Sequence, residues 1–118
     1  MKVFIGFDDT DDVNAIYGTG KVVRWFTPKL PEECRPRGVV RQQLLVDPAI
    51  PYTSHNSAAC MVVEITAPER IPCLIAKAID HIRHYAAQGS DPGLCVVREN
   101  SAALSVLMTF GRRCTHAV

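Results

Sequence analysis

The chain has 118 residues, 47% of them hydrophobic and 21% charged, with a formal net charge of +1. That length suits one domain that buries a core without disulfide or metal staples, and the mixed composition excludes an intrinsically disordered chain. A charge so near zero excludes a strong overall field toward nucleic acid or membrane, so any such contact has to come from a local patch.

The first predicted element is a strand over residues 2–7, β-rich and running straight into the acidic loop Asp8-Asp9-Thr10-Asp11-Asp12. Gly18-Thr19-Gly20 then opens a helix over 21–26, where Val22, Val23 and Phe26 fall at helical spacing. Pro28, Pro31 and Pro36 punctuate an irregular, Arg-rich link, and the helix is predicted to stop or kink near Thr27. A second strand over 38–46 is stopped by Asp47-Pro48. The connection 47–57, Asp-Pro-Ala-Ile-Pro-Tyr-Thr-Ser-His-Asn-Ser, is long for a hairpin, and a loop of that length inside a compact domain is often functional. A third strand follows over 58–65.

From Ile71 to about Gln88 apolar residues repeat at three and four, with Pro72 in the first turn and Gly89 at the end, which predicts the most regular helix. Ser90-Asp91-Pro92-Gly93 reads as a turn and 94–97 as a fourth strand. Asn100 or Ser101 caps a last helix through Phe110, closed by Gly111. The order β-α-β-β-α-β-α over a single domain, residues 1–118, gives an α+β class: a ferredoxin-like plait with an antiparallel sheet, helices on one face and an extra C-terminal helix. A plait with one bare sheet face invites a second copy, so a homodimer is expected.

The N-terminal stretch meets its first acid at Asp8, too early for a signal peptide, and no run approaches the ~20 apolar residues of a membrane span, so the chain reads as cytoplasmic with no membrane contact. Five cysteines, an odd count without a Cys-x-x-Cys pair, suggest neither a disulfide framework nor a zinc ribbon. Cys60, Cys73 and Cys95 sit in apolar runs and read as small core residues, as does Trp25. His81 and His84 read as members of the solvated helix face beside Lys77, Asp80 and Arg83.

Asp8, Asp9, Asp11 and Asp12 repel one another by ~1 kcal/mol per pair in water and by several at a protein surface, unless a cation neutralises them. Mg²⁺ meets that need with one or two carboxylates, leaving its other sites to water and substrate phosphates. A phosphate binder stands one loop further on: Gly18, Gly20 and Lys21, with the Thr19 hydroxyl, combine close backbone approach, a helix start and an ammonium. This is not a Walker A loop, because Ala15 and Val22 stand where Gly and Ser or Thr are required. Solvated turn aspartates and a simple glycine cap are the bland alternative. His55 and Asn56, between Ser54 and Ser57, can bond phosphate or ribose hydroxyls or merely their own loop. Lys29, Arg35, Arg37 and Arg41 form a basic edge that can meet RNA or nucleotide phosphates, or remain solvated.

Ile5-Gly-Phe-Asp-Asp-Thr-Asp-Asp12, its Gly-Thr-Gly helix start, and Arg41-Gln-Gln-Leu-Leu-Val-Asp-Pro-Ala-Ile-Pro-Tyr-Thr-Ser-His-Asn-Ser-Ala-Ala59 resemble the archaeal tRNA-isoleucine agmatidine synthetase family (TiaS) and its bacterial relatives, over two blocks at 3–23 and 37–65. The resemblance implies an ATP-hydrolysing, kinase-like domain that activates a tRNA wobble cytidine. In it Asp8, Asp9 and Asp11 hold Mg²⁺ and ATP phosphates, Thr19 falls at a functional threonine, and the Asn56 region lines the nucleotide cleft. The family's OB-fold and zinc ribbon find no counterpart here, and a partial module of a longer architecture is expected. Catalytic roles are thus expected at Asp8, Asp9 and Thr19, and nucleotide contacts at Gly18, Gly20, Lys21, His55 and Asn56. The expected activity is phosphoryl or adenylyl transfer from ATP to a nucleobase or small acceptor. A non-catalytic regulatory or RNA-binding module that keeps the fold is the alternative.

Overall fold

The computed structural model describes residues 1–8, 19–43, 57–86 and 92–116. Its strands are β1 (Lys2–Asp8), β2 (Cys34–Gln43), β3 (Ser57–Ile65) and β4 (Gly93–Arg98), and its helices α1 (Thr19–Arg24), α2 (Ile71–Tyr85) and α3 (Ala103–His116). The four strands form one sheet in the order β2-β3-β1-β4, with every neighbouring pair antiparallel. This is the plait that the element order predicts, with α3 as the additional helix.

Alternation along β1 decides which face is covered. Val3, Ile5 and Phe7 are buried while their neighbours are not, and across the register they meet Val63, Met61 and Ala59 of β3. Val22 and Val23 from α1, Phe26 from the turn that follows it, and Leu74, Ala78 and Ile82 from α2 complete the core on that face. Each large side chain taken wholly out of water there contributes about 1.5–3 kcal/mol. Phe7 and Phe26 meet edge to face, with ring centroids 6.1 Å apart.

β2 starts at Cys34, four residues ahead of the sequence expectation, and runs through Pro36. It is an edge strand, where a residue without an N–H is tolerated, and the register slips between Pro36 and Gly38 so that Arg37 is the extra residue of a bulge. Pro36 therefore bends the strand instead of preceding it. α2 ends at Tyr85, where Ala86 is already extended. α3 passes straight through Gly111 to His116. Gly111 thus lies inside the helix and does not act as its left-handed cap. Ser101 does the capping at the other end, its hydroxyl accepting the Ala103 N–H at 3.2 Å.

Several side chains stand elsewhere than expected. His81, expected on the solvated face, is 1% exposed: the buried stripe of α2 is Leu74, Ala78, His81 and Ile82. Its Nε2–H donates to the Val22 carbonyl at 2.6 Å and ties α2 to α1. Trp25, expected in the core, is 37% exposed and lies against the Tyr85 ring at 5.4 Å. Cys73 and Cys95 are exposed and Cys60 is half-buried, whereas Cys34, at the start of the bulged strand, is the buried thiol among the described side chains.

Candidate functional site

The face of the sheet opposite α1 and α2 carries the even-numbered residues of β1. Register places them in rows: Ala58, Asp8 and Gly93 lie side by side across β3, β1 and β4, and Cys60, Gly6 and Cys95 form the next row. Val40 of β2 extends the second row beside Cys60. Because two of these positions are glycine and one is alanine, side chains do not fill the space above the strands. A cavity of about 430 Å³ opens there, lined by Gly6, Asp8, Val40, Ala58, Cys60, Gly93 and Cys95, together with Phe7, Ala59 and Leu94. That volume lies in the range of small-molecule sites, apolar in lining with few polar groups.

Asp8 is the carboxylate at the rim of this cavity, exposed at the last position of β1. The same end of the sheet carries the end of β2 and the starts of β3 and β4, since Gln43 pairs with Ser57 and Asp8 with Ala58 and Gly93. Asp9, Asp11, Asp12 and Gly18 belong to the connection that leaves Asp8, and His55 and Asn56 to the one that enters Ser57; all six lie outside the described residues. Of the three expected metal ligands only Asp8 is described, and among the described residues no group of three or more His, Cys, Asp or Glu side chains is placed to hold a metal. Among the described residues Asp8 is the carboxylate that lines the cavity.

Thr19 and Gly20 form the first turn of α1, and Lys21 follows on its exposed side. The Lys21 ammonium sits 5.9 Å from the centre of the Trp25 ring, and Lys29 Nζ 4.6 Å from that of Tyr85. Arg35 and Arg37 are exposed on the edge strand, Arg35 in register with Glu64 of β3. The backbone of Arg41 continues that edge opposite Ala59. Inside the cavity, burial pushes the Cys60 thiol up from its ordinary value, with Cys95 adding to the rise and a backbone hydrogen bond from Ile5 opposing it. Cys60 is therefore a protonated thiol at neutral pH and a poor nucleophile.

Gly6, Ala58, Cys60, Gly93 and Cys95 escaped the sequence expectations for the site. Their signal is a parity: small residues at alternate positions of three strands, Gly6 and Asp8, Ala58 and Cys60, Gly93 and Cys95, mark a strand face left without bulk.

The fold so defined is an α+β plait with one covered and one open sheet face. No protein-family profile matches the sequence, and no curated protein shows significant similarity to it. Three solved structures share the fold. A structure described as a tRNA fluorescent labeling enzyme superposes with a TM-score of 0.72 at 24% identity, over 96% of this chain and 26% of that one. A complex of TiaS with an isoleucine tRNA and ATP gives 0.72 at 23% identity, over 96% and 27%. Apo TiaS, an agmatidine synthetase for that tRNA, gives 0.72 at 22%, over 96% and 26%. The chain spans about a quarter of the length of these structures. The likeness establishes a TiaS-like fold, and with it a fold found in tRNA-modifying enzymes. Among the described residues no helix is long and apolar enough to cross a membrane.

Proposed function

We propose that the chain binds ATP with Mg²⁺ at the open sheet face and serves phosphoryl or adenylyl transfer to a nucleobase or other small acceptor. The observation that carries this reading is the exposed Asp8 carboxylate at the mouth of an apolar cavity of about 430 Å³, at the end of β1 where the aspartate-rich connection departs. A solved protein of the same fold holds ATP and an isoleucine tRNA, which supports the ligand class. Asp8, with Asp9 and Asp11, would hold the ion. Gly18, Thr19, Gly20 and Lys21 would meet phosphates that reach past the Asp8 end of the sheet toward the start of α1, since Thr19 to Lys21 do not line the cavity, and His55 and Asn56 would meet the nucleotide or acceptor. A bound Mg²⁺ supplies charge neutralisation of the phosphates, and the chain's own part is to position them, which is most of what phosphoryl transfer asks of a protein.

A ligand that binds only the folded state raises the melting temperature. ATP with Mg²⁺ is expected to raise that of the unsubstituted protein and to leave Asp8→Ala unmoved. No shift in either protein would refute the reading.

The exposed Arg35 and Arg37 on the edge strand support a second reading, a non-catalytic module that contacts RNA such as tRNA through Arg35, Arg37 and Arg41. A homodimer would use the same open face as the nucleotide, so ATP with Mg²⁺ is expected to lower the dimer fraction in sedimentation equilibrium. A dimer fraction indifferent to ATP places self-association elsewhere.

A further inference from the structure

We propose that Gly93 is a positioning residue for Asp8: its missing side chain is the space in which the Asp8 carboxylate lies, and that vacancy aims the carboxylate over the cavity. The proposal rests on the reading of Asp8 as the ion- and phosphate-binding acid. In sequence Gly93 looks like the last residue of an Asp-Pro-Gly turn, but it is the first residue of β4. Its φ is not positive, so the backbone has no need of glycine there. Glycine in a strand weakens it, and its presence commonly marks a place where another group must come close.

The group that comes close is on the page. Asp8 and Gly93 are register partners on the open face, and a Cβ built at Gly93 would overlap Asp8 Oδ1 and stand 3.4 Å from its Cγ. The carboxylate thus folds sideways across β4 rather than off the strand end, and both residues line the cavity. Gly6, on the same face one row away, shows the contrast. A Cβ there meets only ordinary contacts at 3.8 and 3.9 Å from Cys95, so no neighbour occupies its vacancy. A methyl at position 93 collides with the far end of an exposed, rotatable side chain. The side chain swings aside at small cost to the fold, and the carboxylate leaves its place over the cavity.

The test is titration calorimetry of ATP with Mn²⁺ on the full chain, alongside melting of the unliganded protein. Gly93→Ala is expected to weaken binding by about 10- to 100-fold, the loss usual when a group that orients a ligand is removed. Its unliganded melting temperature should stay within about 2 °C of the original or rise, as glycine replacement allows where φ is negative. Asp8→Ala/Gly93→Ala should bind no more weakly than Asp8→Ala, because the glycine acts only through the carboxylate. If Gly93→Ala melts lower, adding Asp8→Ala should restore the Asp8→Ala melting temperature, since it removes the collision; a double variant that stays low overturns the proposal. Gly93→Ala binding at full affinity, or a double variant weakened by the product of the two single losses, also overturns it while leaving the ATP reading intact. An unsubstituted protein that does not bind refutes the ATP reading and the proposal together.

Discussion

His81 is the buried polar side chain in the core among the described residues, and its energetics are set by what surrounds it. Nε2–H donates to the Val22 carbonyl, Nδ1 has no hydrogen-bond partner among the described residues, and the ring lies against Phe26 at 5.2 Å and Tyr85 at 4.7 Å. Burial lowers its pKa below the ordinary 6.5, the Val22 hydrogen bond opposes this, and the nearby Lys29 and His84 charges lower it further. The sign follows. The unfolded chain takes up a proton near pH 6.5 that the folded chain refuses, so this contribution to stability is whole above about pH 6.5 and is lost as pH falls below it. Melting followed from pH 7.5 to 5 is expected to decline in the native chain, and His81→Phe should flatten the part of the decline that His81 causes. An unchanged slope in that variant would assign the decline to other groups. The i, i+4, i+7, i+8 stripe from Leu74 already placed His81 on the buried side. The charged neighbours Lys77, Asp80 and Arg83 mask it, because Lys77 stands four residues before His81 and so only about 40° away around the helix.

At the scale of elements, α2 and α3 have similar length but opposite fates. α2 buries Leu74, Ala78, His81 and Ile82 against the sheet, whereas α3 leaves Val106 and Phe110 68% and 65% exposed and, among its described side chains, adds none to the core cluster. Both sequences are amphipathic, so periodicity alone ranks them alike; the difference is whether a sheet face stands opposite the stripe. Leu74→Ala is expected to cost about 2–5 kcal/mol in denaturant unfolding, and Val106→Ser to change stability by no more than about 0.5 kcal/mol. A Val106→Ser loss as large as that of Leu74→Ala would mean that α3 is packed in solution. β2 teaches a related lesson. Reading Pro36 as a break shortened the strand, because the rule against proline holds for strands paired on both sides, and edge position is not visible from a local window.

For the whole molecule, a net charge of +1 gives RNA no long-range attraction, so an RNA-binding role depends on a local patch such as the β2 edge. Arg35 is in register with Glu64, whose carboxylate is paired with the Met1 ammonium at 3.3 Å, while Arg37 occupies the bulge and has no cross-strand counterpart. If the second reading holds, Arg37→Ala should weaken tRNA binding in a filter or anisotropy assay and reduce the slope of log affinity against log salt by about 1. Equal slopes would remove the edge from consideration. Element order, the helical and strand periods, the early carboxylates and the glycine-bearing helix start were all determined by the sequence itself, since each is a steric or electrostatic property of residues near one another in the chain. Only the tertiary structure decided that Asp8, Ala58 and Gly93 share a row, that the opposite face is the one the helices cover, and that a glycine far along the chain holds open the place of a carboxylate near its start. Register couples residues whose separation no local pattern encodes.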